Sequence, residues 1–260
     1  MKNYLIDYYK YATDFSYYND QISILESDQK YIEYKSKVIS TIEKLSDNYD
    51  YFLADGYHKN SYLGKVDPTD SNYIIPYRFK KSELIDNLFV FKDSNWDYFF
   101  AKSLDDTPYT DSDILTNNYP KFIHYNSIRF TCGYGIITNN TNLIVLDIDF
   151  GTQLNSISNI DPNILNYCKF KRIDKSTDRC SIHLYFKKPT SLYSQLNSSN
   201  IRRIIIGDVK IWISGTSANG IQSNIDTLHM FNGINYNHEL VGDMNDIPEC
   251  PQWLIDKIFE

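Results

Sequence analysis

Glycine and proline are scarce in this chain of 260 residues, at ten and eight. That scarcity excludes collagen-like, Pro-rich and Gly/Ser low-complexity architectures. No apolar run comes near the roughly 20 residues a membrane-spanning helix needs. The opening residues, MKNYLIDYYKYATDF, place acids and polar groups where a signal peptide needs an unbroken apolar stretch. The expectation is a soluble, intracellular protein with no membrane partner. The four cysteines (Cys132, Cys168, Cys180, Cys250) lie far apart with no C-x-x-C pair. This excludes a zinc knuckle or a dithiol motif and leaves reduced thiols in or near the core. Basic charge is short too: 26 Lys and Arg stand against 33 Asp and Glu, for a net charge of −7. Over the whole chain, that balance disfavours a polyanionic partner.

What is present points the other way. A hydrophobic fraction of 42% suits a folded protein of one large or two small domains. Asn, Ile, Tyr and Lys are abundant, and all four have A/T-rich codons. The 23 tyrosines, spread along the whole chain, therefore read as a codon effect rather than a stacking surface. The basic charge is concentrated. Between Lys169 and Lys210 lie ten basic residues and three acids, a local excess of seven that leaves −14 for the remainder. Salt screens distant charge within about 8–10 Å, so an acidic protein with one basic segment can still hold phosphates.

Periodicity predicts a helix over Ser27–Leu45, with Ser27 as N-cap, Asp28 in the first turn, and a stripe of Tyr31, Ile32, Val38, Ile39, Ile42 and Leu45. NYIIPYRF and NLFVF read as short strands, and KSELIDNLF as a helix start. CGYGIIT (132–138) and LIVLDIDF (143–150) read as two strands joined by a hairpin-type NNTN connection. A short helix over 161–167, strands CKFKRID and CSIHLYFKK, and a weak helix over 191–200 follow. RRIIIGDVKIWIS is a strand or strand pair broken at Gly207, and a closing helix spans 253–259. Strands interleaved with helices indicate an α/β or α+β sheet domain. The clear part begins near residue 121, so 1–120 is set apart as a partly helical N-terminal extension and 121–260 as the core.

Three constellations can do chemistry. In LIVLDIDF an apolar strand ends in Asp147 and Asp149, which share a face because a strand alternates sides every residue. Two converging carboxylates beside a core need a cation, and their hard oxygens suit Mg²⁺ or Mn²⁺. In CSIHLYFKKP, Ser181, His183 and Tyr185 share one face, and with Lys187, Lys188 and the Arg172 strand they suggest a phosphate-contacting surface. In IIIGDVKIW, Asp208 interrupts an apolar run after Gly207; a metal shared with the Asp pair would satisfy it, as would Lys210 on the same face. A D-x-D motif also serves haloacid-dehalogenase phosphatases, although Thr152 here falls one place late for that pattern, and metal-dependent glycosyltransferases.

In this order, LIVLDIDF, SIHLYF and GDVKIW resemble the h-h-h-D-h-D, S/G-x-H-x-Y-F and hD motifs of the archaeo-eukaryotic primase superfamily, specifically its primase–polymerase (prim-pol) domains. CGYGIITNNTNLIVLDID and PQWLIDKIF add softer matches, and the resemblance covers roughly 120–260. The Gly-rich turn that precedes the His in the family is replaced by KSTDRCS, and the usual Pro after Asp208 is missing. The resemblance implies an RNA-recognition-motif-like sheet module packed on a second α/β unit. It implies metal ligation by Asp147, Asp149 and Asp208, and nucleotide contact through Ser181 and His183, with Arg172, Lys187 and Lys210 along the triphosphate and template. The reaction implied is template-directed nucleotidyl transfer by a two-metal scheme. It uses nucleoside triphosphates on single-stranded DNA, and a helicase is fused or associated. A viral or plasmid replication protein is the context expected, acting in the host cytoplasm if viral. Two other classes stay open from the residues alone: an inactive single-strand-binding module, and a D-x-D phosphatase or glycosyltransferase.

Overall fold

The computed structural model describes residues 27–55, 64–66, 74–94, 127–138, 140–149, 167–174, 181–201, 203–206, 209–216, 222–227 and 238–260. Helix α1 (Gln29–Glu43) starts one residue later than the sequence implies, because Asp28, not Ser27, is the N-cap. Its carboxylate accepts from the Lys30 backbone N–H at 2.8 Å. The buried stripe is Tyr31, Tyr34, Val38, Thr41 and Ile42, while Ile32 and Ile39 are exposed. The tyrosines decide the rotation. Tyr34 buries a large ring and satisfies its hydroxyl by donating to the Cys132 carbonyl at 2.8 Å. Thr41 enters the stripe because its hydroxyl bonds back to the Lys37 carbonyl.

Two antiparallel sheets carry the fold. In the four-stranded sheet, β5 (Ser127–Ile137) is flanked by β1 (Tyr51–Asp55) and β11 (Gln222–Thr227), and its first half pairs with β4 (Phe91–Ser94). The six-stranded sheet runs in the order β12 (His238–Val241), β7 (Lys171–Asp174), β8 (Ser181–Lys187), β6 (Leu143–Asp149), β10 (Val209–Ser214), β9 (Arg203–Ile206). A short pair, β2 (Gly64–Val66) and β3 (Ile74–Pro76), stands apart from them. Helices α2 (Lys81–Asn87), α3 (Tyr193–Ser198) and α4 (Gln252–Phe259) complete a mixed α/β chain. The helix expected over 161–167 lies outside the described residues apart from Tyr167.

The hairpin expected between β5 and β6 does not form: the two strands belong to different sheets. The connection is fixed elsewhere. The Lys188 backbone N–H donates to the Asn142 carbonyl at 2.6 Å, which starts β6 along β8. RRIIIGDVKIWIS proves to be two strands, with Ile206 paired to Val209.

The sheets face each other across one core. Tyr51, Leu53, Tyr134 and Ile136 of the first meet Leu143, Val145, Tyr185 and Leu240 of the second, with α1 along the side. The six-stranded sheet buries its other face, Ile144, Leu146, Leu184 and Ile213 among others, against α3 and α4. This double cover is why Leu143–Leu146 are apolar at every position. Helix α1 and strand β1 share a core with the later strands, and β4 pairs with β5, so the fold crosses residue 120. At Gly242, φ is +91°, and a Cβ would collide with the Lys169 carbonyl, so only glycine lets β12 leave beside β7.

Candidate functional site

Strand β6 enters from the inter-sheet core and runs out of it at its C-terminal end. By alternation Leu143, Val145, Asp147 and Asp149 share the face turned to the first sheet. The apolar cluster on that face reaches Val145 and Tyr185, and the next side chain, Asp147, is 38% exposed. The register with β8 then sets the chemistry: Val145 lies opposite Tyr185, Asp147 opposite His183, and Asp149 opposite Ser181. His183 Nε2 stands 3.2 Å from Asp147 Oδ1, and His183 is buried. At that separation the imidazole and the carboxylate are in ion-pair contact.

The row continues across the sheet in both directions. On one side Arg172 of β7 is opposite His183, and Leu240 of β12 is opposite Arg172. On the other side Trp212 of β10 is opposite Asp147, and Arg203 of β9 is opposite Trp212. The Arg203 guanidinium lies 6.0 Å from the centroid of the Trp212 ring, a cation–π contact. Trp212 and Arg203 were not singled out by motif. The alternation Lys210, Trp212 down β10 was the available signal, because it puts the indole on the carboxylate face.

Of the residues expected in a site, the fold brings Asp147 and His183 into contact. It places Asp149 and Ser181 one step along the same strand pair, and Arg172 on the neighbouring strand. Lys210 lies next to Ile211, the partner of Ile148, and so beside the C-terminal end of β6. Lys187 is not in this group. It pairs with Leu143 at the other end of β8, four residues or about 13 Å from His183. Asp208 lies outside the described residues. The basic segment does not form a single face: Lys171 sits opposite Leu184, on the α4 side by alternation, and Lys188 is buried.

Lys188 has an internal role. Its Nζ donates to the Thr141 carbonyl at 2.8 Å and to Asn197 Oδ1 at 2.5 Å. Burial pushes its pKa down to about 8. It thus ties the end of β8 to the connection that launches β6. Burial likewise raises the thiols, Cys168 to about 11 and Cys250 to about 12. These two and Cys132 are buried and reduced, as the spacing implied.

A hard divalent cation suits the donors at the end of β6. The Asp147 carboxylate is partly exposed, and Asp149 follows on the same face of the strand. Among the described residues, no group of three or more His, Cys, Asp and Glu gathers as a metal site. Asp208, the third carboxylate of the expected set, is outside that description. Among the described residues, no helix is long and apolar enough to cross a membrane. No protein-family model, curated protein or solved structure matches the chain.

Proposed function

We propose that the chain is a metal-dependent nucleotidyltransferase that makes or extends primers on single-stranded DNA from nucleoside triphosphates, in the manner of the prim-pol domains its motifs resemble. One observation carries this reading. An h-h-h-D-h-D strand and an S-x-H-x-Y-F strand, 36 residues apart between Asp147 and His183, are paired in register so that those two side chains meet at 3.2 Å where the shared face leaves the core. A mixed α/β fold with two packed antiparallel sheets is consistent with that reading at the level of fold class.

Asp147 and Asp149, with Asp208, would hold Mg²⁺ or Mn²⁺. When bound, the ions neutralise phosphate charge and acidify an attacking hydroxyl. The protein's own contribution is placement. His183, in contact with Asp147, and Ser181 would donate to the oxygens of a triphosphate, and Arg172 would add charge from the neighbouring strand. Because the site backs onto an apolar core, each such donor would act in a lower dielectric than water. A fused or associated helicase belongs to the same proposal.

The test is primer synthesis and extension on single-stranded DNA with Mg²⁺ or Mn²⁺, using ribo- and deoxyribonucleoside triphosphates. Asp147→Ala with Asp149→Ala is expected to abolish synthesis while the melting temperature survives. Extension by that folded double variant would overturn the assignment.

A further inference from the structure

Trp212 stands one strand in from the β9 end of the row and is 39% exposed, although it lies in the interior of a strand. The alternate residues of β10, Ile211 and Ile213, are fully buried on the α4 side. Several large apolar side chains are exposed to this degree, and what sets Trp212 apart is its place on the same face as a carboxylate, one strand away. Its neighbours extend the exposed surface. Arg203 lies over the indole at 6.0 Å, and Ile205, the next residue of β9 on that face, is 63% exposed. The guanidinium contact biases the ring toward one orientation, which lowers the ordering cost when a flat ligand settles on it.

The charges along the row fix the polarity of that ligand. Asp147 is directly opposite Trp212, one strand spacing of about 4.8 Å away. His183 and Arg172 follow on the next two strands. The row therefore reads, in order, as an aromatic platform, a cation-binding carboxylate, and two donors suited to anions. An aromatic ring joined through a short polar linker to a chain of phosphates is complementary to that order.

We infer that Trp212, braced by Arg203, is the platform on which the base of the nucleoside triphosphate stacks, with its phosphates extending past Asp147 toward His183 and Arg172. The inference rests on the reading of Asp147 and His183 as a nucleotide site, and it adds the residue that receives the base. Every base has a π-face, so such a platform accepts all four and sets position rather than sequence.

The experiment compares equilibrium binding of each deoxynucleoside triphosphate and of inorganic tripolyphosphate, both with Mg²⁺, to the full chain and to its Trp212→Ala and Trp212→Phe variants. Loss of the indole is expected to weaken nucleotide binding on the order of ten- to a hundred-fold for all four bases. Tripolyphosphate binding should stay unchanged, and the Phe variant should fall between. Unchanged nucleotide affinity in Trp212→Ala overturns the platform. So does an equal loss for nucleotide and tripolyphosphate, or a wild type that binds the two equally. A wild type that binds neither ligand overturns the nucleotide site itself and the platform with it. Melting temperatures of the variants are measured alongside, and the Phe variant keeps the ratio of the two affinities readable if the Ala variant does not fold.

Discussion

Lys188 carries its charge where the fold leaves almost no water, at 3% exposure. Its two hydrogen-bond acceptors, the Thr141 carbonyl and Asn197 Oδ1, are both neutral, and the Tyr193 ring lies 5.6 Å away. Desolvation therefore dominates and lowers the pKa from 10.5 to about 8. Because the folded value lies below the unfolded one, the unfolded chain holds more protons between them. Stability thus rises with pH from about 8 to about 10.5. At about 1.4 kcal/mol per pH unit, the drop corresponds to a penalty of about 3 kcal/mol, fully present below pH 8 and gone above 10.5. Lys188→Met has no titrating group at this position. Urea unfolding of both chains near pH 7 and near pH 9.5 should show the wild type gaining about 2 kcal/mol on the variant. Taking the difference removes the titration of every other group. A difference that is the same at both pH values would refute the reasoning, since it would mean that the two acceptors fully replace lost hydration.

His183→Ala should lower kcat/KM for nucleotide by roughly ten- to a hundred-fold, the loss expected of a charge-assisted phosphate donor; a variant whose defect is purely thermal would make the imidazole a packing residue. Gly215, at φ +103°, backs onto the Leu143 carbonyl at the start of β6. Gly215→Ala should cost about 2 kcal/mol or more in denaturant unfolding, and an unchanged midpoint would contradict that close approach. Cys168 and Cys250, whose thiols are held well above neutral pH by burial, should resist thiol reagents until the chain unfolds. Labelling of both in the native protein within seconds would show that the packing around them is looser than described.

The strand interiors were legible because alternation is a local property. LIVLDID announced both its double burial and its two carboxylates on one face, and SIHLYFK announced His183 beside Tyr185. What sequence could not give was which strand lies beside which. The NNTN segment looks like a hairpin, yet it hands the chain from one sheet to the other, a choice made by the distant Lys188 and Asn142 pairing. The same limit misplaced charge. Lys187 and Lys188 follow His183 closely in sequence, but one lies about 13 Å along the strand and the other turns inward to Thr141 and Asn197. Trp212 is hidden in the sequence for the complementary reason: nothing local says what covers its face, and only the register opposite Asp147 places it beside the carboxylate.

The seven residue pairs that join β6 to β8 hold core and site in a single alignment. Slipping β8 by one residue along β6 would turn His183 to the α4 side and present an aliphatic side chain to Asp147. The same slip would pull Tyr185 from between the sheets, so the misaligned chain would fail to fold before it could fail to act. Insertions and deletions in descendants of this sequence should therefore fall in the connections. The spacing from Val145 to Asp149 and from Ser181 to Tyr185 should stay fixed even where the residues between them drift.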